Sequence, residues 1–181
     1  MIKQTLNGKW LFKEFNQKQW YEATVPGTVY TDLLNNHLME NPYWKDNEQA
    51  ALKLMEKDYI YVKNFDISEE MIICNKILLH FDGIDTAAGI FLNGQKLAHV
   101  DNMHRIWEFD VKGYLKQSEN ELKIILESPL RYCETAFEKC KTLGSEDAID
   151  GFVHMRKAHC MFGWDWGAHL PDAGIFRNVS L

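Results

Sequence analysis

Cysteine is scarce in this sequence of 181 residues, and long apolar runs are missing altogether. The four cysteines include no C-x-x-C pair, and they are too few for the disulfide framework of a small secreted domain. We therefore expect free, buried thiols in a reducing compartment. No stretch approaches the roughly 20 apolar residues of a membrane-spanning helix, and residues 1–8 lack the apolar run of a secretory signal. These absences predict a cytoplasmic location and no membrane partner.

An excess of positive charge is missing as well. The chain carries 20 basic and 26 acidic residues, a net charge of −6, and its lysines and arginines form no cluster. Nucleic acids and anionic membranes bind basic patches, so neither is expected as a partner. The sequence also contains no G-x-S-x-G motif, no P-loop and no dinucleotide-binding glycine pattern. Nucleophilic-serine chemistry, nucleotide chemistry and a bound cofactor are therefore not predicted.

Candidate metal ligands are present, but their spacing does not match a known type of metal site. His154, His159, Cys160 and His169 lie close together in the sequence. No pair of them has the H-E-x-x-H arrangement, and other soft ligands are scarce. We expect hydrogen-bonded or surface imidazoles at these positions and no metal site.

Paired carboxylates for acid/base chemistry give almost no signal, because 26 acidic residues allow many pairs to be drawn. Asn47-Glu48 and Asn120-Glu121 are dipeptides of a kind that serves as an acid/base pair in some glycosidases. The first lies at a predicted helix start and the second at a predicted strand start. Both are therefore expected to be structural.

Alternating apolar residues predict an all-β domain. Trp10 and Phe12 fall on one face of an opening strand, and from Tyr59 onward apolar and polar residues alternate. Asn93-Gly94 between two apolar runs is the signal of a two-residue type I′ hairpin. Further strands are expected over residues 76–81, 87–92, 95–100, 107–111 and 122–126, and at the C-terminal end from Ile175. Many short strands at this spacing predict a jelly-roll β-sandwich in a single domain, residues 1–181.

Two short helices are predicted as insertions on this β framework. Thr28 is placed to cap the first helix, whose apolar residues follow at helical spacing until Asn41-Pro42 breaks it. Asp46 with Gln49 resembles a capping box for a second helix that runs through Met55.

A further helix is predicted after the strand at residues 122–126. Ser128-Pro129 is a helix start, with serine as the cap and proline at the first position. The apolar stripe of this helix consists of Leu130, Cys133, Phe137 and Cys140. The stripe predicts that both cysteines lie in the core, where a redox or metal role is not expected.

The C-terminal stretch from His154 to Leu181 contains the main candidate for a binding site. Asp165 lies between Trp164 and Trp166, with a glycine on either side. A carboxylate can accept hydrogen bonds from vicinal hydroxyls, and indole rings pack on the C–H face of a sugar, so the triplet suits a carbohydrate site. The alternative is a tryptophan-rich core strand with Asp165 capping a turn. Residue types alone favour that structural alternative.

Several motifs along the chain together resemble a known family. They are Leu6-Asn7-Gly8-Lys9-Trp10, Val25-Pro26-Gly27-Thr28-Val29-Tyr30-Thr31-Asp32-Leu33, Phe81-Asp82-Gly83-Ile84-Asp85-Thr86-Ala87-Ala88, Leu92-Asn93-Gly94, Asp101-Asn102-Met103, Glu119-Asn120-Glu121-Leu122 and Gly174-Ile175-Phe176-Arg177-Asn178-Val179-Ser180-Leu181. With them, essentially the whole chain resembles the N-terminal domain of β-mannosidases of glycoside hydrolase family 2. The motif Phe162-Gly163-Trp164-Asp165-Trp166-Gly167 points to β-mannosidase over β-galactosidase or β-glucuronidase.

The resemblance implies a galactose-binding-domain-like jelly roll, called the sugar-binding domain, with short helical insertions. In the family, an immunoglobulin-like domain and a (β/α)8 barrel follow, and the barrel carries the two glutamates of a retaining mechanism. Those domains are absent here, so the resemblance implies that this fragment is inactive by itself. It names a terminal β-mannoside or manno-oligosaccharide as the substrate and the downstream barrel as the partner.

The resemblance also assigns roles to four residues. Asp165 binds sugar hydroxyls, and Trp164 and Trp166 shape the wall of the pocket for the terminal mannose. Arg156 is a weaker candidate, which orients Asp165 or its loop. Where relatives have proline after Trp-Asp-Trp-Gly and tryptophan before the closing arginine, this chain has Ala168 and Phe176, which puts the rigidity of the loop in question.

Two other functions stay open at this level. The domain could be a free-standing carbohydrate-binding module, since jelly rolls often serve that way, or a scaffold that only seats the barrel. Where neighbouring domains are missing from the fragment, the surface that they would cover is expected to leave an exposed apolar patch around Trp164.

Overall fold

The computed structural model describes residues 2–165 and 167–181 and consists mostly of antiparallel strands. Its strands are β1 (Gly8–Glu14), β2 (Tyr21–Val25), β3 (Tyr59–Phe65), β4 (Leu78–Phe81), β5 (Ala87–Leu92), β6 (Gln95–Asp101), β7 (Trp107–Asp110), β8 (Asn120–Leu126), β9 (Phe162–Trp164), β10 (Gly167–His169) and β11 (Val179–Ser180). Its helices are α1 (Val29–Asn35), α2 (Asn47–Met55), α3 (Glu69–Ile72) and α4 (Pro129–Lys139), with 3-10 turns at Phe152–His154 and His159–Met161. Of the helices in these two ranges, none has the length and apolar character to cross a membrane.

Two sheets form the sandwich, and a separate hairpin stands beside it. The larger sheet has six strands in the order β2-β1-β3-β8-β5-β6, and the smaller has three in the order β11-β4-β7. Strands β9 and β10 form a two-stranded hairpin of their own. One apolar cluster contains side chains of both sheets, for example Phe12 and Tyr61 from the larger and Leu79 and Val179 from the smaller. This shared core makes the two sheets the layers of one β-sandwich.

The alternation of apolar and polar residues read from the sequence is confirmed in β1 and β8. In β1, Trp10 and Phe12 are buried whereas Leu11 is exposed. In β8, alternate residues from Leu122 to Leu126 are buried. Successive side chains of a strand point to opposite faces, so a period of two places one set in the core.

The hairpin predicted at Asn93-Gly94 is also confirmed. Leu92 pairs with Gln95 across a two-residue turn in which Asn93 has φ 52° and Gly94 has φ 80°. Asparagine and glycine tolerate this left-handed backbone better than other residues do, and the type I′ turn requires it at both positions. The Asn93 side chain also donates hydrogen bonds to the Tyr114 carbonyl oxygen and to Asn120 Oδ1 at 2.8 and 2.9 Å.

The helices confirm the sequence in part and correct it at three places. The first is the end of α1, which lies at Asn35, before the predicted break at Asn41-Pro42. Thr28 Oγ1 accepts from the Thr31 N–H at 3.3 Å and caps α1 as predicted. The capping box at Asp46 was wrong: α2 forms, but Asp46 makes no side-chain cap hydrogen bond. Its backbone has φ −101° and ψ 13°, outside the extended region from which a capping side chain reaches back to the helix.

Helix α4, the third of the predicted helices, corrects the prediction for one cysteine. Ser128 Oγ accepts from the Arg131 N–H at 3.1 Å, so the predicted start of α4 is confirmed. Cys133 is buried, as expected, but Cys140 is exposed. The helix ends at Lys139 and Cys140 is extended, so the helical spacing that put Cys140 on the apolar stripe no longer applies.

Candidate functional site

Trp164 and Asp165 of the Trp-Asp-Trp motif lie at the tip of the β9-β10 hairpin. Gly167 pairs with Trp164 and His169 with Phe162, so the chain reverses at Asp165, which is exposed. Trp164 is 40% exposed, which does not fit the alternative of a tryptophan-rich core strand. Trp166, the third residue of the motif, lies outside the described residues. The geometry thus presents Trp164 and Asp165 at the surface at the end of a short hairpin.

The base of the hairpin is anchored in a small apolar cluster. Phe162 is fully buried with Ala87, Cys133 and Met155, and the ring of Phe152 lies 6.0 Å from its own. This cluster joins β5, α4 and the start of the hairpin. The tip is therefore solvent-exposed while its first residue is buried in the domain.

One imidazole connects the hairpin to two other parts of the chain. Glu48 Oε1, on α2, accepts from the backbone N–H of His169 at 2.9 Å and lies 2.6 Å from its Nδ1. His169 Nε2 lies 2.5 Å from the carbonyl oxygen of Asp147. Partial burial by itself lowers the pKa of His169, but the hydrogen bonds to Asp147 and Glu48 outweigh it and raise that pKa. For Glu48, burial by itself raises the pKa, but the hydrogen bonds that His169 donates outweigh burial and lower that pKa.

The imidazole of His169 also explains why glycine is required at one of the two positions that flank the Trp-Asp-Trp motif. Gly163 has φ 94°, and a Cβ built on it would overlap the His169 ring. Gly167 has open space around the same position. Gly163 is therefore required by both its backbone conformation and the contact with His169, whereas Gly167 is not held to glycine by space.

A buried ionic group ties together the two chain segments that flank the hairpin. Lys157 Nζ donates to Asp85 Oδ2 and, at 2.7 Å, to the carbonyl oxygen of Asp172. The Lys157 side chain is fully buried and that of Asp85 almost so. Burial lowers the pKa of Lys157, and the Asp85 carboxylate opposes that shift. Because Lys157 precedes the hairpin and Asp172 follows it, the group closes the loop that carries Asp165.

Asp172 links the same segment to helix α1. Its Oδ1 accepts from the N–H groups of Tyr30 and Ala173 at 3.0 and 2.8 Å, and the Val29 N–H donates to the Ala173 carbonyl oxygen at 2.8 Å. The carboxylate thus satisfies an N–H at the first turn of α1, where the helix end favours an anion. Burial nevertheless raises the pKa of Asp172 to about 6.

Arg156 is held through its main chain. It forms an isolated bridge with Asn102, and its carbonyl oxygen accepts from the Met103 N–H at 3.0 Å. Its side chain is exposed. The structure thus joins Arg156 to the end of β6, and its expected role in orienting Asp165 stays a prediction.

The remaining candidates of the sequence analysis are spread over the domain. Asn120 is fully buried and its side chain bonds to both backbone groups of Lys116, a structural role. His154 Nε2 lies 2.9 Å from the Cys140 carbonyl oxygen. Within residues 2–165 and 167–181, no three His, Cys, Asp or Glu side chains are grouped so as to hold a metal ion.

Sequence reasoning missed the residues that hold the hairpin. Asp85 had a signal, since a carboxylate next to the apolar residues Ile84 and Ala87 needs a buried partner. Lys157 had none, because it meets its partner 72 positions away. Glu48 was predicted to be structural, but its partner His169, 121 positions away, was not predicted.

Comparison with known proteins agrees with this architecture. Residues 10–177 match the family model described as the glycosyl hydrolase 2 galactose-binding domain-like family. β-Mannosidase of Bos taurus is 31% identical over 185 residues, covering 98% of this chain and 21% of that protein. β-Mannosidase B of Aspergillus oryzae is 31% identical over 183 residues, covering 97% of this chain and 22% of that protein. The chain thus spans about a fifth of the length of these relatives.

Solved structures give the same fold. The β-D-mannosidase from Dictyoglomus thermophilum superposes with a TM-score of 0.95 at 39% identity, covering 99% of this chain and 22% of that one. The exo-chitosanase CsxA of Amycolatopsis orientalis superposes with a TM-score of 0.69 at 14% identity, which shows likeness of fold alone. The predicted all-β, galactose-binding-like sandwich with short helices is therefore confirmed.

Proposed function

The chain belongs to the glycosyl hydrolase 2 galactose-binding domain-like family, and on that premise we propose that it is the N-terminal, non-catalytic domain of a longer β-mannosidase. The longer enzyme hydrolyses terminal, non-reducing β-D-mannose residues with retention, using glutamates of a barrel that follows this domain. Support comes from the β-mannosidases that the chain resembles over nearly its full length while spanning about a fifth of theirs. Residues 1–181 form one domain in this proposal, and the protein is cytoplasmic.

Within the enzyme, the hairpin contributes one wall of the mannose pocket. The carboxylate of Asp165 accepts hydrogen bonds from sugar hydroxyls, and Trp164 and Trp166 pack beside the ring. The observation that supports this role is the exposure of Asp165 at the tip of a hairpin whose base is buried. A carboxylate carried on an anchored element can reach a neighbouring domain without losing its orientation.

Replacing Asp165 by alanine in the longer protein tests the proposal. We expect kcat/KM for an aryl β-mannoside to fall by about 10²-fold, because hydrogen bonds that strengthen in the transition state are lost. Asp46→Ala is the control, since Asp46 is an exposed carboxylate without a side-chain cap hydrogen bond. Unchanged kinetics for Asp165→Ala together with lower stability would favour a domain that only seats the barrel.

The isolated chain separates this function from a free-standing carbohydrate-binding module. We expect no hydrolysis of the aryl β-mannoside by residues 1–181, and weak binding of mannose, because one wall of a pocket lacks the partners on the other side. Calorimetric titration with mannose and manno-oligosaccharides measures the affinity. A dissociation constant below about 1 mM would favour the binding module.

A further inference from the structure

His169 makes hydrogen bonds that only its charged form can make together. The carbonyl oxygen of Asp147 accepts and cannot donate, so His169 Nε2, 2.5 Å away, carries a proton. The ionised carboxylate of Glu48 likewise accepts, so Nδ1, 2.6 Å away, carries one too. An imidazole with protons on both nitrogens is the imidazolium cation.

These bonds act at the base of the hairpin, where His169 pairs with Phe162. Glu48 also accepts from the backbone N–H of His169, so one carboxylate oxygen holds both the ring and the main chain of β10. The ring lies against Gly163 of β9, two residues before Asp165. Both arms of the hairpin are therefore held at the level of His169, which pairs with Phe162, the buried apolar anchor.

Two acidic residues from different elements face this ring. Glu48 comes from α2, and Asp147 comes from the loop that follows α4. The His169 side chain is about a third exposed and that of Glu48 about a quarter. The site is thus open enough to exchange protons with solvent, and its neighbours favour the cation.

We propose that the imidazolium of His169 is a positioning residue, which holds the hairpin against Glu48 and Asp147 and so sets the placement of Asp165 for the sugar. This inference rests on the proposed function of Asp165. His169 acts through the hairpin and does not touch the substrate.

The proposal has a defined pH dependence. The hydrogen bonds of His169 to Glu48 and Asp147 are called the clamp here. The pKa of His169 is raised above its ordinary value, so the clamp is complete below that pKa and is lost as the pH rises through it. The pKa of Glu48 is lowered, so the clamp is lost on the acid side only below the ordinary range of a carboxylate. When His169 loses one proton, a ring nitrogen lone pair faces the oxygen of Glu48 or Asp147 and that hydrogen bond is lost. Because the hairpin is then held less firmly, we expect KM for the mannoside to rise while kcat changes less.

His169→Gln in the longer protein tests the kinetic part. We expect KM for an aryl β-mannoside at pH 6 to rise about fivefold with kcat within about twofold, and the rise of KM with pH that we expect for the wild type to be absent in the variant. The matched control is His80→Gln. The two ring nitrogens of His80 lie 2.9 and 2.8 Å from Glu108 and Asp82. The His80 side chain is about as exposed as that of His169, but it lies in the three-stranded sheet, outside the hairpin. A KM for His169→Gln equal to that of the wild type and the control at every pH would overturn the proposal.

A spectroscopic test on residues 1–181 does not depend on activity. NMR titration of the His169 ring should give a pKa above about 6.5, the ordinary value, and Glu48→Gln should lower it and speed amide exchange in the hairpin. A His169 pKa at or below the ordinary value, or one unmoved by Glu48→Gln, would refute the clamp. If the longer protein fails to hydrolyse the mannoside while the titration gives the expected result, the proposed function fails and the clamp stands.

Discussion

At the scale of single residues, the most consequential group is the buried ion pair of Lys157 and Asp85. Lys157 satisfies a carboxylate of the β4-β5 loop and a carbonyl oxygen beyond the hairpin with one ammonium group. Two buried charges are stable only because each satisfies the other, and removal of one leaves an uncompensated charge. The pair thus makes the closure of the hairpin segment depend on a single lysine.

Lys157→Met should therefore lower the free energy of unfolding by about 3–5 kcal/mol, the cost of breaking a buried pair from one side. Urea denaturation of residues 1–181 measures this change. The control is Lys57→Met, which removes a partly exposed pair with Glu14 at 2.9 Å and should cost about 1 kcal/mol or less. Adding Asp85→Asn to Lys157→Met should restore part of the loss. Equal effects for Lys157 and Lys57 would contradict the role given to burial.

At the scale of elements, the hairpin is a short structure held by contacts outside itself. Three residues per strand supply few hydrogen bonds of their own, and a two-stranded ribbon of this size is not stable alone in water. Phe162, His169 and the Lys157 group supply the missing stabilisation from three directions. The conformation at Gly163 allows the His169 ring to lie close to the β9 backbone.

Gly163→Ala should disrupt this arrangement, because alanine disfavours φ 94° and its methyl group overlaps the His169 ring. We expect a loss of about 1–3 kcal/mol in the free energy of unfolding, together with a shift of the His169 ring resonances. Gly167→Ala is the matched control, since no atom lies within 4 Å of the added carbon. If both variants behave alike, the close contact between Gly163 and His169 does not determine the hairpin.

At the scale of the whole molecule, the last part of the chain closes the sandwich. Gln4 and Leu181 exchange backbone hydrogen bonds at 2.8 and 2.9 Å, and Leu6 donates to Val179 at 2.9 Å. The segment before β11 also connects to α1 through Asp172 and Ala173. The C-terminal residues thus join the first strand region, the first helix and the hairpin into one cooperative unit, so the protonation of Asp172 affects global stability.

Stability should consequently change with pH through Asp172. Its pKa is raised to about 6 in the folded state, against about 3.9 in an unfolded chain. Between these values the folded state binds more protons than the unfolded one, so the contribution of Asp172 to stability falls as the pH rises through this window. Relative to Asp172→Asn, the wild type should lose up to about 3 kcal/mol between pH 4 and pH 7. Urea denaturation at each pH measures the difference, and a difference that grows in favour of the wild type would contradict the assignment.

Much of the framework follows from local sequence patterns. The alternation in β1 and β8, the turn at Asn93-Gly94 and the start of α4 at Ser128 were all predictable, because each depends on residues within a few positions of one another. The resemblance of the motif around Asp165 to a known family marked this segment as the candidate site, although residue types alone favoured a core strand. Its placement at an exposed tip is consistent with a role in binding, and that role stays a prediction.

Other features were decided only by the tertiary structure. Nothing near Asp46 indicated that its backbone would turn away from the capping geometry, and nothing near Cys140 indicated where α4 ends. The bonds of Lys157 to Asp85 and of Glu48 to His169 join residues 72 and 121 positions apart. The sequence by itself determined many of the strands, their inward faces and the Asn93-Gly94 turn, because these follow from short-range periodicity and turn chemistry. Only the tertiary structure decided that Lys157 pairs with Asp85 and His169 with Glu48, because burial and charge pairing depend on which distant segments pack together.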